Sequence, residues 1–329
     1  MKDPETARPN SLAISVVVPV RDEEASIRTL LEGLLSQSLP PDEIVITDGG
    51  SIDQTRTIIE SFIHDGAPIK LIVDQNSLPG RSRNLAVAQS RNEWIAFIDA
   101  GIKPCAGWLS SLAEQAANSA DVVYGSYEPI TDSFFRECAA IAYVPPATVT
   151  PDGPVRPRSI ASALMRRAAW TEAGGFPEDL RSAEDLVFMD NVERAGFRSV
   201  RAPRALVYWT IQPGLWTTFR RFVVYAHNNI RAGLWRQWQA AIFARYALLV
   251  LSAIPAIFLG LRWLIVPVGL WVLMMLLRAV KTLSRHQTRA GGFGRDLLRL
   301  LWLMPIIATL DAAAFAGSLK WLVFDRQRG

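Results

Sequence analysis

The sequence predicts an α/β domain, a mostly parallel sheet flanked by helices, followed by an all-α membrane region. Three observations carry this. Apolar, β-branched runs alternate with amphipathic stretches through the first hundred residues, the pattern of right-handed βαβ units. Acidic residues stand just past those runs: Glu23 in VVVPVRDEEASI, Asp48 in EIVITDGGSIDQT and Asp99 in WIAFIDAGIKP, with the Glu184–Asp185 pair following in LRSAEDLVF. Charge and hydropathy then change sharply near residue 210.

The elements follow in order. Residues 14–20 (ISVVVPV) read as a buried strand, and 24–36 as an amphipathic helix with Ile27, Leu30, Leu31, Leu34 and Leu35 on one face. Pro40–Pro41 close that segment. Strands at 43–47, 69–73 and 94–98 alternate with helices near 54–63, the first opened by Asp53, and 82–90. Beyond Pro104 the alternation loosens into a helix near 107–118, a strand at 121–125 and a Pro-rich surface loop at 144–158. A strand (159–165), a Gly174–Gly175 turn, a helix (183–195) and a strand (198–208) complete the domain, which spans 13–210 after a polar tail at 1–12.

Composition separates the two parts. Met1–Thr210 holds 20 Lys+Arg against 28 Asp+Glu, whereas Ile211–Gly329 holds 15 against 3. The basic residues of the second part are spaced by long apolar runs, which suits a bilayer better than a nucleic acid. Leu215–Trp238 mixes Trp, Phe and Arg as an interfacial helix does. Tyr246–Leu261 and Trp263–Leu277 are uncharged runs of 16 and 15 residues. They fall slightly short of the ~17–25 of a spanning helix, so Arg245 and Arg278 would snorkel. Leu300–Leu319 is a third candidate of 20 residues, with Asp311 inside it. The expectation for 211–329 is thus an interfacial helix and two or three transmembrane helices; a helical bundle buried in an oligomer is the alternative. The linking segment carries Arg278, Lys281, Arg285, Arg289, Arg295 and Arg299 against Asp296, and the positive-inside rule places it in the cytoplasm. The polar, acid-bearing N-terminus does not read as a signal peptide. Cys105 and Cys138 form no CxxC pair or disulfide framework, as in a reducing cytoplasm. His64, His227 and His286 are scattered and suggest no zinc site; His227 reads as an interfacial surface residue.

Ligand crevices of open α/β sheets form at the carboxyl ends of strands, so the acidic positions are expected to converge on one site. Read alone, Asp48 is a turn residue and Ser182-x-x-Asp185 a helix capping box. No G-x-x-x-x-G-K-[ST] loop is present, which excludes a P-loop NTPase.

Taken together, VVVPVRDEEASI, DEIVITDGGSIDQT, GRSRNLA, FIDAG, GGFPE and SAEDLVF, in this order and spacing, resemble family 2 glycosyltransferases of the GT-A fold over roughly 13–210. The resemblance implies a Rossmann-like GT-A sheet in a membrane-associated bacterial enzyme of the hexosyltransferase type. Pro19, Arg21 and Glu23, with Asp22 where Asn is common, would cradle a nucleotide-sugar donor. Asp48 would read its uracil, Arg83 and Asn84 would flank the nucleotide, and Asp99 would be the first acid of the D-x-D metal site. Here D-A-G replaces D-x-D, with Gly101 at the second acid. Either Asp99 holds a divalent cation (Mg2+ or Mn2+) with fewer protein ligands, or Lys103 supplies part of the positive charge. Glu184 and Asp185 would be the catalytic pair, Asp185 acting as general base for inverting transfer.

A base points to a hydroxyl acceptor, lipid-linked or membrane-presented, rather than a lipid phosphate that arrives ionised. Gln212-Pro-Gly-Leu-Trp216 lacks the Arg of Q-x-x-R-W, which disfavours processive polymer synthesis. The expected place is the inner membrane, with the catalytic domain facing the cytoplasm and the product a cell-envelope glycan. The missing second acid keeps a catalytically silent nucleotide-sugar binder or scaffold open, and the sheet alone also admits a nucleotidyltransferase.

Overall fold

The computed structural model describes residues 12–118, 120–286 and 292–325. The expected polar tail, up to residue 11, and Arg289 lie outside the described residues. The chain forms two compact units. The first comprises Met1–Glu128, Thr148–Asp179 and Glu184–Trp209; the second takes Pro129–Ala147, Leu180–Ala183 and Thr210–Gly329.

The first unit is built on a sheet of eight strands. These are β1 (Ile14–Val20), β2 (Glu43–Asp48), β3 (Ile69–Val73), β4 (Trp94–Phe97), β5 (Ile102–Pro104), β6 (Val122–Ile130), β9 (Ala163–Arg166) and β10 (Ser199–Thr210), in the spatial order β3-β2-β1-β4-β9-β6-β10-β5. A separate hairpin, β7 (Thr148–Thr150) and β8 (Gly153–Val155), lies inside the stretch expected to be loop. Strands β1 to β4 are parallel, as their spacing by helices requires. The register aligns Val20 with Asp48 and Asp48 with Val73, while Val17 pairs with Phe97. The four loops that follow these strands therefore leave one edge of the sheet. After residue 100 the pairing turns antiparallel, β4 with β9, β9 with β6 and β5 with β10.

The helices of this unit cover both faces. Ile27, Leu30, Leu31 and Leu34 of α1 (Ile27–Leu35) are fully buried at helical spacing, each worth roughly 1.5–3 kcal/mol of burial. That helix starts three residues later than its sequence suggests, because the Glu23 carbonyl accepts the amides of Ser26 and Ile27 in a preceding turn. After α2 (Thr55–His64), α3 (Pro79–Gln89) starts three residues early on Pro79, whose fixed φ suits a first turn. Trp108 of α4 (Trp108–Ala117) is fully buried, and its indole nitrogen donates to Ser162 Oγ at 3.0 Å.

The second unit is helical. Its first member, α5 (Phe134–Tyr143), was not expected; Ser133 caps it by accepting the Arg136 amide at 3.3 Å. The short α6 (Arg167–Glu172) and then α7 (Glu184–Arg194) belong to the sheet unit and intervene in sequence. The expected interfacial helix divides at Gly233, where φ is +75°, into α8 (Leu215–Arg231) and α9 (Trp235–Trp238). Then come α10 (Ala240–Ser252), α11 (Pro255–Leu259), α12 (Ile265–Arg285) and α13 (Gly292–Phe324).

Among the described residues, three helical stretches are long and apolar enough to cross a membrane: Ala240–Leu259, Leu261–Arg285 and Gly292–Phe324. The acid inside the third is neutralised within the unit. Asp311 is fully buried and receives both ends of the Arg278 guanidinium, Nη2 to Oδ1 at 2.9 Å and Nη1 to Oδ2. His227 is 9% exposed and pairs with Asp325, so it is a buried structural residue rather than a surface one.

Candidate active site

Two polar clusters form on the loops leaving the parallel edge. In the first, the β1 and β2 loops are sewn together. The Asp22 amide donates to Ser51 Oγ (2.9 Å), the Ile52 amide donates to Asp22 Oδ1 (2.9 Å), and the Glu23 amide donates to Thr55 Oγ1 (2.7 Å). Ser51 holds Asp48 Oδ1 through both its amide (2.9 Å) and its hydroxyl (2.6 Å). The other Asp48 oxygen, Oδ2, is buried without a hydrogen-bond partner; Arg56 Nε is 3.7 Å away. An unsatisfied buried acceptor is costly, so Asp48 is left with capacity for a donor N–H. Asp22 has φ +54°, in the left-handed region that Asp and Asn tolerate best after glycine.

The second cluster is centred on Arg83 of α3, which is 4% exposed. Its Nη1 donates to Glu184 Oε1 and its Nη2 to Asp99 Oδ1, both at 2.7 Å, and its guanidinium lies 5.3 Å from the centroid of the Phe176 ring. Phe176 in turn stacks on Phe188 of α7 with centroids 3.8 Å apart, fixing the ring under the charge. Burial works against the Arg83 charge, but Asp99 and Glu184 outweigh it and hold the guanidinium ionised. Glu184 is 4% exposed and its Oε2 has no hydrogen-bond partner.

Asp185 follows in the first turn of α7. Burial raises its carboxyl first; Glu184 and Asp99 raise it further and Arg83 only partly opposes them, which brings it to about 7. The capping box anticipated from Ser182 does not form. The helix starts at Glu184, Ala183 precedes it at φ +70°, and the Ser182 hydroxyl donates to the Val224 carbonyl at 3.4 Å. Among the described residues only Asp22, Asn76 and Ala183 are non-glycine residues with positive φ. Two of the three flank the acidic motifs, in keeping with strain kept at functional loops.

The remaining sequence candidates fall less centrally. Pro19 sits in β1 two residues before Arg21, which is exposed and reaches only its neighbour Asp22, 3.6 Å away. Asn84 takes no part in the Arg83 network. Its Oδ1 accepts from Trp170 Nε1 (3.1 Å) and the Phe176 amide (2.9 Å), and its Nδ2 donates to the Phe176 carbonyl and Glu178 Oε1 (both 2.9 Å). It clamps the Gly174–Glu178 turn, a role its helix-start position gave no sign of. Lys103 is exposed on β5 opposite Tyr208. Ser51 and Phe176 were not expected as parts of the site; the D-G-G-S and G-G-F-P strings hold them, but their partners Asp22 and Arg83 are 29 or more residues away.

Residues 15–169 match the family described as glycosyl transferase family 2. This stretch is a glycosyl transferase family 2 domain, and the protein is a glycosyltransferase. Succinoglycan biosynthesis protein ExoA of Rhizobium meliloti (strain 1021) is 24% identical over 314 residues, covering 86% of this chain and 94% of the relative. Among solved structures, mannosyltransferase PcManGT from Pyrobaculum calidifontis, in complex with GDP-Man and Mn2+, superposes with a TM-score of 0.59 at 16% identity over 97% of this chain and 89% of that one. S. aureus TarS 1–349 in complex with UDP-GlcNAc gives 0.51 at 20% identity over 94% and 92%. At these identities the structural likeness establishes the GT-A type fold of the glycosyltransferase and nothing finer.

A divalent cation, Mn2+, is bound in the PcManGT complex. Among the described residues no group of three His, Cys, Asp or Glu is placed to hold a metal. The Glu23 carboxylate, however, lies beside the D-A-G turn: a Cβ on Gly101 would be 3.6 Å from Oε2 and 3.7 Å from Oε1. A carboxylate thus stands where an aspartate side chain at 101 would reach. Asp99 adds a second at 39% side-chain exposure. Two carboxylates completed by substrate phosphates suit Mg2+ or Mn2+, which seldom need an all-protein cage.

Proposed function

We propose that this glycosyltransferase moves one sugar, with inversion, from a UDP-sugar to a hydroxyl of a lipid-linked or membrane-presented acceptor. The carrying observation is the Arg83 network, which brings Asp99 together with Glu184 and its sequence neighbour, the proton-affine Asp185, from two distant stretches of chain. Asp185 accepts the acceptor hydroxyl's proton as that oxygen attacks the anomeric carbon; the carbon–phosphate oxygen bond breaks and the nucleoside diphosphate departs. Arg83 keeps Glu184 and Asp99 in place and tempers the charge around the base. Asp99 and Glu23 would hold a Mg2+ or Mn2+ ion, which when bound neutralises charge on the diphosphate. Asp48 Oδ2 offers an acceptor to the uracil N3–H.

The three apolar stretches support membrane attachment, and the basic residues Lys281, Arg285, Arg295 and Arg299, near the facing ends of the last two stretches, favour a cytoplasmic side for those ends. The inner membrane is the place this implies, with a cell-envelope glycan as product.

Two outcomes test the donor site. Calorimetric titration with UDP, GDP, dTDP and CDP is expected to rank UDP first. Asp48→Asn should weaken UDP about 10- to 100-fold, the worth of a charge-assisted hydrogen bond; an unchanged UDP affinity would remove Asp48 from base recognition. Chelation by EDTA should suppress transfer and Mn2+ restore it. In the presence of UDP, Mn2+ bound by wild type should be largely released in Glu23→Gln as read by electron paramagnetic resonance. Full retention there would leave Glu23 out of the cation site, and restoration failing only in Lys103→Ala would favour the lysine.

A further inference from the structure

Asp185 is the second residue of α7 in the sheet unit, but the four residues before that helix, Leu180–Ala183, belong to the helical unit. Their fastening there is specific. Asn228 of α8 is 2% exposed, and its Oδ1 accepts the Arg181 amide at 3.1 Å. Its Nδ2 donates to the Val224 carbonyl one turn back at 2.9 Å, and the same carbonyl accepts Ser182 Oγ at 3.4 Å. The Asn228 side chain thus holds Arg181 directly, and the Val224 carbonyl it also bonds holds Ser182, in a loop that ends, at Ala183, in a strained left-handed conformation.

The helix that makes this hold is itself fixed. Gly317 of α13 approaches α8 so closely that a Cβ there would lie 2.6 Å from the Val223 carbonyl oxygen, 2.7 Å from Ala226 Cβ and 2.8 Å from the His227 nitrogen. His227 also pairs with Asp325, just past the end of α13. A continuous run of contacts therefore leads from a candidate membrane helix through α8 to the backbone two peptide bonds ahead of Glu184.

We propose that Asn228 is a positioning residue for the general base: α8, held by α13, sets the backbone from which Asp185 is presented. The inference rests on the reading of Asp185 as the base. A shift of about 1 Å in a catalytic group is enough to cost on the order of 100-fold in rate. Loss of the Asn228 amide should accordingly act on turnover and leave donor binding alone.

The experiment uses the full chain in lipid nanodiscs, assayed for turnover of UDP-GlcNAc, UDP-glucose and GDP-mannose, with Asp185→Asn as the reference for a lost base. Asn228→Ala is expected to lower kcat about 30- to 100-fold. Donor KM and UDP affinity should stay within about twofold, and the pH at which the rate is half-maximal should move. Asn228→Asp still accepts the Arg181 amide and should recover most of the rate. Gly317→Ala, which pushes α8 off α13, should repeat the kcat loss and covers the case in which Asn228→Ala fails to fold. Wild-type kcat and an unmoved pH profile in folded Asn228→Ala or Gly317→Ala would overturn the inference, as would UDP affinity falling in step with kcat. Wild-type turnover in Asp185→Asn would instead overturn the base assignment itself.

Discussion

Asparagine at position 185 is expected to lower sugar transfer by about 10²- to 10⁴-fold, the usual worth of a general base, while UDP affinity stays close to wild type. Wild-type kcat should rise with pH to a plateau, half-maximal near 7, because burial and the charges of Glu184 and Asp99 lift the Asp185 carboxyl to about 7 and only its ionised form takes a proton. That limb should vanish in Asp185→Asn. Stability should show the opposite sign. A carboxyl whose folded pKa lies above its unfolded value stabilises the fold at low pH and loses that contribution as pH rises through the folded value. Thermal unfolding should therefore find Asp185→Asn gaining on wild type between about pH 4 and 7. A pH-independent wild-type rate, or a variant that turns over normally, would remove Asp185 as the base.

The second large effect concerns Arg83. Arg83→Met leaves Glu184 buried with neither of its oxygens paired and frees Asp99, and breaking a buried pair in this way costs about 3–5 kcal/mol. At roughly 2–4 °C per kcal/mol for a unit of this size, the unfolding midpoint of the sheet unit should fall by about 10 °C. Activity should fall as well, and its residual pH limb should lie above that of wild type, since Arg83 is the larger of the two influences, with the Leu186 amide, that lower the Asp185 carboxyl. Arg83→Lys keeps the charge but not the two-armed geometry and should fall between them. An unfolding midpoint within 2 °C of wild type would show that the network contributes little to the fold.

Much of this architecture was legible in the sequence because parallel strands separated by helices have a short-range signature. The runs at 14–20, 43–47 and 69–73 coincide with β1 to β3 to within a residue, and the acidic residues that follow them land on one edge as strand register demands. The antiparallel half was less visible. β5 and the β7–β8 hairpin have only three residues per strand, too few for a period, and β9 owes its place to pairing with β4 and β6. At the site, Asp48 and Asp99 stood out by position after apolar runs, whereas Glu184 was marked only by its motif. Arg83 as a bridge 101 residues from Glu184, Glu23 beside Gly101 and the Asn84 clamp on Phe176 are long-range facts that no local pattern encodes. Asp311 read as an anomaly inside an apolar run until Arg278 appeared opposite it.

The most direct measurement is transfer of label from UDP-[14C]GlcNAc, UDP-[14C]glucose and GDP-[14C]mannose into the lipid extract of membranes carrying the full chain, with mass spectrometry of the product. Wild type should add one hexose or N-acetylhexosamine mass to a lipid-soluble acceptor from a UDP-sugar, and membranes carrying Asp185→Asn should add none. Label entering the extract equally with both proteins, or from no UDP-sugar while GDP-mannose serves, would contradict the account.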